Sequence, residues 1–506
     1  MKVEHCKKVE ARFPWVRLGV LIGLMLVVYI ASQFLHFYLS IILIVLAVLI
    51  FALVAVQHQR VIDQLKRMQN FAQLLSSQIA RSKLNWEGIP APSMVKVSTD
   101  HPFAADLNIV GDRSLHRLLD TTTSLGGSYC LSAWLLNPIP DPRIINERQQ
   151  LVSDLVNLPA FRTRLELNGL LAGSDTSARW DGSALMRWLE AHMPVKSLLP
   201  KLLLLSVLAG VNIPLFVLNA FALIPAYWVL TLVIYLLLQS MKYRETSEVF
   251  DESYSLARQL QQLRLVFLDL ETTHYPLGSM LSTLVSPFTS PTLRPSVALK
   301  RIGRIVSAAS LRNNPFLSLA LNILGPWDLY FAYQLERYKK DLRGCLPTWL
   351  ETWYQIESLS ALANFAALNP ETTFPQILNY APGNTVFSGC AVGHPLIHET
   401  SRVNNDFEIQ NLGEINIITG SNMSGKSTFL RTIGINLVLA FAGSKVIARN
   451  LQVIPFRVFT SMNVTDSISD GISFFYAEVS RLRMLMLLVQ AQDSFPLFYL
   501  IDEIFR

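Results

Sequence analysis

The sequence predicts a multi-domain protein that combines transmembrane helical hairpins, an all-helical soluble body and an α/β domain that binds phosphate. Two long apolar stretches almost free of charge predict the hairpins. A glycine-bounded loop between an apolar run and a helical pattern predicts the α/β domain. Apolar residues recur at helical spacing through most of the rest. The chain has 506 residues, which is enough for two to four domains.

The composition favours contact with lipid. Apolar residues make up 51% of the chain and charged residues only 16%, which is more apolar than an ordinary soluble enzyme. The net charge of +6 suits either anionic lipid or nucleic acid and does not separate them. The cysteines lack the spacing of a disulfide framework or a zinc site, which fits a reducing compartment. They are Cys6, Cys130, Cys345 and Cys390.

The first predicted membrane hairpin occupies residues 1–60. Its two spans are residues 18–35 and 37–56, each close to the roughly 20 residues that cross a bilayer, with a polar turn near His36. Basic residues before and after the pair place both ends in the cytoplasm. A cleaved signal peptide is the alternative, but its apolar core would be shorter.

The second predicted membrane hairpin occupies residues 197–242, with spans at 202–219 and 222–238. A turn near Asn219 and Pro225 separates the spans. Lysine and arginine residues again flank the stretch. The alternative is a helical hairpin buried in a soluble core. Together the hairpins predict a multi-pass protein of the inner or plasma membrane, with its N-terminus and C-terminal domain in the cytoplasm.

Helical segments separate the hairpins from the α/β domain. Residues 61–105 predict an amphipathic helix and a linker, and residues 106–196 and 243–380 predict two parts of one helical domain. Asn137–Pro138 predicts the end of one helix, and Asp141–Pro142 predicts the start of the next.

Residues 381–506 form the predicted α/β domain, and their central feature is a phosphate-binding loop. An apolar strand at residues 417–419 leads into a segment that fits G-x-x-x-x-G-K-[ST]. Its backbone amides and the helix that follows suit a phosphate anion, Lys426 reaches the β- and γ-phosphates, and Ser427 holds Mg²⁺. ATP and Mg²⁺ are therefore the predicted ligands, with a chance match or a decayed site as the alternative. The loop comprises Gly420, Ser421, Asn422, Met423, Ser424, Gly425, Lys426, Ser427 and Thr428.

A second apolar strand, residues 497–501, ends in two carboxylates. At such a position Asp502 would orient the magnesium ion and Glu503 would polarise the attacking water. Glu503 and Lys426 are thus the catalytic candidates, and Ser427 and Asp502 are the metal ligands. The alternative is a pair of acids at a solvated strand end.

These motifs resemble the MutS family. Residues 419–431 are similar to the family's T-G-x-N-M-x-G-K-S-T-x-L-R, residues 393–396 to its G-R-H-P, and residues 404–406 to part of its F-V-x-N-D element. The resemblance implies a P-loop NTPase domain of the ABC/MutS type. It also implies an adenine-stacking aromatic residue where this chain has Arg402, whose guanidinium can stack as well.

Residues 465–478 resemble the signature stretch of the MutS family. There a serine-bearing loop at a helix start touches the γ-phosphate bound by the other protomer. The resemblance implies nucleotide contacts by Ser469, Gly471 and Ser473, and hence a homodimer through the ATPase domains. By itself, the Ser-Asp-Gly sequence here is typical of a helix N-cap.

The helical regions also resemble MutS proteins, in their lever or core domain. Residues 118–129 are similar to its opening T-x-x-G turn, and residues 349–365 to its last helix, with the phrase E-x-x-x-A-L-A-N-F. The N-terminal region has no room for the family's mismatch-reading module beside two membrane spans. Residues 337–343 predict a solvated charged face or, alternatively, a DNA-contacting one.

The predicted function is that of a membrane-anchored, MutS-like ATPase. Its nucleotide-driven dimerisation would be coupled to DNA binding or DNA repair-related action. The alternatives are a transporter-like ATPase and a nucleotide-binding scaffold, both without a DNA role. Because the chain stops at Arg506, directly after the second carboxylate, we expect a truncated α/β domain that binds nucleotide poorly and hydrolyses it slowly.

Overall fold

The computed structural model divides the chain into two compact units, residues 1–79 and 80–506. The division of the chain into six smaller segments, made from the sequence, stays a prediction. The residues that the structure describes are 13–16, 18–20, 22–27, 29, 37–93, 95–98, 100–173, 179–190, 195–240, 259–276, 278–290, 294–309, 311, 315–380, 385–462, 474–491 and 494–502.

One long helix, α1 (Phe37–Ser82), dominates the first unit and ends just inside the second. The sequence predicts a membrane span at 37–56 and an amphipathic helix from 61, and one continuous helix covers both stretches. The 46 residues contain no glycine or proline that would end a helix, so one helix of about 69 Å forms. The predicted turn near His36 lies outside the described residues.

The helical part of the second unit contains helices before, within and after the second apolar stretch. They are α2 (Leu115–Leu119), α3 (Leu125–Leu136), α4 (Pro142–Val156), α5 (Pro159–Ala172), α6 (Ser183–Glu190), α7 (Val195–Ala220), α8 (Tyr227–Ser240), α9 (Arg264–Thr272), α10 (Met280–Leu284), α11 (Ser286–Thr289), α12 (Pro295–Ala309), α13 (Pro315–Leu324), α14 (Trp327–Arg343) and α15 (Leu346–Leu368).

Local sequence signals set several of these boundaries. Asn137 is the C-cap of α3, and Asp141 is the N-cap of α4, where its side chain accepts a hydrogen bond from the backbone N–H of Arg143. Both boundaries confirm the prediction from the Asn-Pro and Asp-Pro pairs. The predicted last helix of the body is also confirmed, as α15, which packs against α3, α4 and α5.

The second apolar stretch forms α7 and α8, which pack side by side. Within the described part of the chain, one helix, Leu198–Ala220, is long and apolar enough to cross a membrane, judged by length and composition. The sequence predicts four such spans. The partner helix α8 has only 14 residues, about 21 Å, which is shorter than the hydrocarbon core of a bilayer.

The C-terminal α/β region, residues 376–502, contains two small sheets. β1 (Gln376–Ile377), β2 (Phe387–Val392), β3 (Asn405–Ile409) and β4 (Asn450–Val453) form a mixed sheet in the order β1-β4-β2-β3. β5 (Arg457–Ser461) and β6 (Leu497–Ile501) pair in parallel. Helices α16 (Lys426–Phe441) and α17 (Phe474–Gln490) complete the region.

One predicted strand of this region is wrong. The backbone at 417–419 is not a β-strand, and the side chain of Ile417 is 84% exposed. An apolar run becomes a strand only when another strand supplies hydrogen-bond partners, and no described strand pairs with this segment. The strand predicted at 497–501 forms as expected, as β6.

One large apolar cluster joins the helical body to the C-terminal α/β region. It contains Leu131 of α3, Trp353 of α15, Leu437 of α16 and Leu500 of β6. The helical body and the C-terminal α/β region therefore share one core and hold each other's elements in place.

Candidate nucleotide-binding site

The phosphate-binding loop turns sharply into α16 at Gly425. Gly425 has a φ of +93°, in the left-handed region where glycine is favoured, and α16 begins at the next residue, Lys426. Gly425 is the N-cap of α16, and no side chain caps that end. The first N–H groups of a helix need an acceptor, and the helix end carries partial positive charge. This geometry fits a phosphate anion at the head of α16.

Lys426 lies over its own loop. Its Nζ donates hydrogen bonds to the carbonyl oxygens of Gly420 and Ser421, at 2.9 and 3.0 Å. A Cβ at Gly420 would come within 2.9 Å of the Ser424 hydroxyl, so the compact loop favours glycine at that position. The ammonium group is therefore held at the mouth of the loop by acceptors that a phosphate oxygen can replace.

Most other residues of the phosphate-binding loop are exposed to solvent. Ser421, Asn422, Met423 and Ser424 are exposed, whereas Ser427 in the first turn of α16 is half-buried. Their backbone and hydroxyl groups are accessible to a ligand.

Asp502 directly follows β6. Its backbone N–H donates to the carbonyl of Ser461 at 3.0 Å and so continues the β5–β6 pairing. α16 packs against β6, where a Cβ on Gly434 would lie 3.0 Å from Leu500. The loop and Asp502 thus belong to elements in direct contact.

The oxygen atoms of Ser427 and Asp502 are of the type that Mg²⁺ prefers, and Mg²⁺ commonly takes its remaining ligands from phosphate and water. Within the described residues, no group of three or more His, Cys, Asp or Glu side chains could hold a metal by itself. The donor set present therefore fits an ion that arrives with a nucleotide. The remaining predicted site residues lie outside the described residues. They are Glu503, Ser469, Gly471 and Ser473.

Arg402 occupies the position of the expected adenine-stacking residue, and it is engaged elsewhere. Its side chain is 5% exposed and forms an ion pair of 2.7 Å with Glu371. It packs on Gly393, where a Cβ would lie 2.7 Å from Cδ of Arg402. Stacking on adenine would require Arg402 to leave Glu371.

The neighbouring His394 has a structural role. Burial, followed by the charges of Arg431 and Arg402, lowers the pKa of His394 to about 4. Its neutral Nδ1 accepts a hydrogen bond from the backbone N–H of Leu396 at 3.2 Å. The imidazole thus fixes the turn that follows β2.

Sequence reasoning missed Asn436, in the middle of α16. Its side chain is fully buried, donates to the carbonyl of Gly393 at 2.9 Å and accepts from the N–H of Ile447 at 3.0 Å. These bonds fix α16 to the turn beside Arg402. The signal was present in the sequence, because Asn436 is a lone amide in an apolar helix.

Sequence reasoning also missed the contact between two motifs that it treated separately. Glu357 of α15 is buried and accepts hydrogen bonds from the backbone N–H groups of Thr123 and Ser124, at 3.1 and 3.3 Å, and from both hydroxyls. Burial raises the pKa of Glu357, and these hydrogen bonds partly oppose the rise. A Cβ on Gly127 would lie 2.5 Å from Glu357, so the T-x-x-G turn and the glutamate phrase fit together.

Comparison with known proteins relates this chain to a protein family. Residues 416–506 match the family model of MutS domain V. The chain is 34% identical over 154 residues to the DNA mismatch repair protein MutS of Orientia tsutsugamushi (strain Boryong), covering 29% of this chain and 17% of that protein.

Two further relatives give the same picture. The DNA mismatch repair protein MutS 2 of Halobacterium salinarum is 33% identical over 135 residues, which are 26% of this chain and 15% of that protein. The DNA mismatch repair protein MutS of Thermotoga neapolitana is 34% identical over 116 residues, which are 22% of this chain and 14% of that protein. These matches support the MutS family for this chain, and they span about a sixth of the length of the relatives.

Proposed function

We propose that this chain is a MutS-like protein that binds and hydrolyses ATP with Mg²⁺ and uses nucleotide-driven dimerisation to control an action on DNA. The observation that carries this proposal is the loop at the head of α16. Gly425 adopts the left-handed conformation there, and the Lys426 ammonium lies at the loop mouth. The match of residues 416–506 to MutS domain V supports the same reading.

Each residue of the site has a distinct role in this proposal. The first amides of α16 hold the β- and γ-phosphate oxygens, and Lys426 balances their charge. Ser427 and Asp502 orient Mg²⁺, which when bound neutralises charge on the phosphates. Glu503 polarises the attacking water. Ser469, Gly471 and Ser473 of one protomer contact the γ-phosphate held by the other.

The packing of α16 offers a route from nucleotide to the helical body. α16 and α15 share one apolar cluster, and Asn436 ties α16 to the chain at Gly393. At the far end of α16, a Cβ on Gly443 would lie 2.4 Å from Cβ of Arg148 in α4. A shift of α16 on nucleotide binding would therefore move helices of the body.

The proposed action on DNA rests on the relatives, which are named as DNA mismatch repair proteins. The proposed attachment to a membrane rests on α7 and α8. Between these helices, the amide of Asn212 hydrogen-bonds the Thr231 hydroxyl at 2.6 Å, and Trp228 Nε1 donates to Asn219 at 3.0 Å. The surface of the pair is apolar, as lipid requires. Leu198–Ala220, with 23 residues, is about 35 Å long, enough to cross a bilayer.

A binding measurement with the detergent-solubilised full chain tests the nucleotide site. Binding of a fluorescent ATP analogue is compared between the parental protein, Lys426→Ala and Lys445→Ala, because Lys426 and Lys445 are the two lysines of residues 381–506. We expect Lys426→Ala to lose at least about tenfold in affinity, since it removes the cation at the phosphates. Lys445→Ala is the control and should bind as the parental protein does. Equal binding by all three proteins would contradict the proposal that this loop binds nucleotide.

The DNA proposal has its own measurement. The full chain is titrated with homoduplex, mismatched and branched DNA, with and without ATP. We expect affinity to change with ATP and to fall steeply with salt. Negligible binding to all three DNAs would remove the DNA role while leaving the nucleotide site intact.

A further inference from the structure

We propose that α12, α13 and α14 form a lipid-binding surface beside α7 and α8, with α13 in the hydrocarbon region and basic residues of α12 and α14 on anionic headgroups. This inference rests on the membrane attachment proposed above and deepens it. It assigns a role to α13, which the sequence reading left in the soluble body.

α13 has the polarity of a lipid-facing helix. Leu319 is 59% exposed and Leu324 is 64% exposed, whereas the polar Asn322 is 8% exposed. The backbone carbonyl of Asn322 accepts a hydrogen bond from the Tyr235 hydroxyl of α8 at 2.6 Å, and its side-chain oxygen accepts one from Gln239 at 3.0 Å. A helix in contact with water would bury the leucines and expose the asparagine.

α13 also continues the apolar surface of α7. The two helices are in contact, and Val207 of α7 is as exposed as the leucines of α13. With 10 residues, α13 is about 15 Å long, which is half of the hydrocarbon thickness. Its freed backbone groups need partners at that depth, and the Tyr235 hydroxyl supplies one to Asn322.

An aromatic cluster follows directly at the start of α14. The rings of Trp327 and Phe331 are 4.9 Å apart, and those of Tyr330 and Phe331 are 5.1 Å apart. Tyr330 is exposed, and Trp327 Nε1 donates to the carbonyl of Ala308 in α12. Tryptophan and tyrosine with apolar bodies and polar edges are enriched at the boundary between hydrocarbon and headgroups.

A basic strip lies beyond the aromatic cluster. The two helices that carry it are in contact, with the Arg301 guanidinium 4.7 Å from the centre of the Tyr338 ring. Arg337 is about 15 Å along α14 from Trp327. The surface thus runs from apolar residues through aromatic residues to basic residues. Membrane proteins show the same order from the hydrocarbon core outward to an anionic headgroup layer. The exposed side chains of the strip are Lys300, Arg301, Arg304, Arg337 and Lys340.

Lipid fits this surface better than DNA does. A basic strip alone attracts any polyanion, including the DNA backbone. Here the strip follows an uncharged face of α7, α8 and α13, which a double helix would leave in water and a bilayer would cover. A membrane has both an apolar interior and an anionic surface, so it matches both parts of this surface.

Vesicle binding by the full-length protein tests the proposal. Protein delivered from detergent is mixed with vesicles of phosphatidylcholine alone or with roughly one third phosphatidylserine. The test variant is Lys300→Glu with Arg304→Glu. The control is Arg113→Glu with Arg143→Glu, which makes the same change in net charge at exposed sites outside the strip. DNA binding of all three proteins is measured in parallel.

The expected result is that the strip variant loses at least about twenty-five-fold in association with the anionic vesicles. Each of the two basic side chains at a headgroup surface contributes about a factor of five, and the introduced carboxylates are also repelled. The strip variant's association with neutral vesicles and its DNA binding should stay at the level of the control. Equal vesicle binding by the strip variant and the control overturns the proposal. Loss of DNA binding in place of lipid binding assigns the strip to DNA and also overturns it. If the parental protein binds neither vesicle, the membrane attachment itself has failed.

Discussion

The carboxylate of Glu357 caps the start of α3 by accepting hydrogen bonds from both the N–H and the hydroxyl of Ser124, which lies 233 residues away in sequence. The contact joins the last helix of the body to its first long one. Because Glu357 is buried, these bonds are shielded from water, and loss of the carboxylate would leave polar groups without partners.

Replacement of Glu357 by alanine should therefore destabilise the protein. We expect a loss of about 3 kcal/mol in the free energy of unfolding, because several buried donors lose a charged acceptor. The measurement is denaturant unfolding of the detergent-purified chain. Glu351→Ala, an exposed position on the same helix, is the control and should change stability little. Similar losses for the two variants would contradict the role of Glu357.

Replacement of Gly425 by alanine should weaken nucleotide binding. A Cβ there would meet no atom within 4 Å, so the cost comes from the φ of +93° alone, about 1 to 2 kcal/mol. The helix start would shift to relieve it and move the amides away from the phosphates. Gly413→Ala imposes the same kind of strain at a φ of +83° outside the loop and serves as the control. Affinity for a fluorescent ATP analogue should fall only for Gly425→Ala, and an equal fall in both would sink the prediction.

His394 should make the stability of the protein depend on pH in the acid range. Its pKa falls from 6.5 to about 4 on folding, so the unfolded chain binds the proton more tightly than the folded chain does. The stabilisation by neutral His394 is complete above about pH 6.5 and is lost as the pH falls toward 4, by about 3 kcal/mol in all.

The pH dependence of unfolding measures this effect. His394→Asn keeps a side-chain acceptor but does not titrate, so its stability should fall less steeply between pH 6.5 and 4 than that of the parental protein. His398→Asn, in the same segment, is the control. Parallel curves for all three proteins would show that His394 does not carry the effect.

Replacement of Asn436 by alanine should loosen α16. The carbonyl of Gly393 and the N–H of Ile447 would lose their partner inside the core, at a cost of about 2 to 3 kcal/mol. The expected readouts are lower thermal stability and faster amide hydrogen exchange at 445–448. Asn405→Ala, at an exposed position on β3, should leave both unchanged. Unaltered exchange in Asn436→Ala would argue against its anchoring role.

Local signals were enough to predict several elements. The caps around Asn137 and Asp141, the start of α16 at Lys426 and the strand β6 depend on neighbouring residues. Each of these features is set within one or two turns of chain, so the sequence pattern contains it.

Features that depend on distant partners were missed or wrong. The strand expected at 417–419 needs a pairing edge that the pattern cannot supply. The pairing of Glu357 with Ser124, and of Arg402 with Glu371, follows from tertiary packing. Sequence reasoning could name Arg402 but could not foresee the ion pair that engages it.

The apolar cluster shared by α3, α15, α16 and β6 has a consequence for how the protein melts. Among the described residues, the core runs without a break from the helices into the C-terminal α/β region. Heat or denaturant should take both through a single cooperative transition. A fragment cut at 380 would expose to water the leucine and phenylalanine side chains of α16 that this cluster buries.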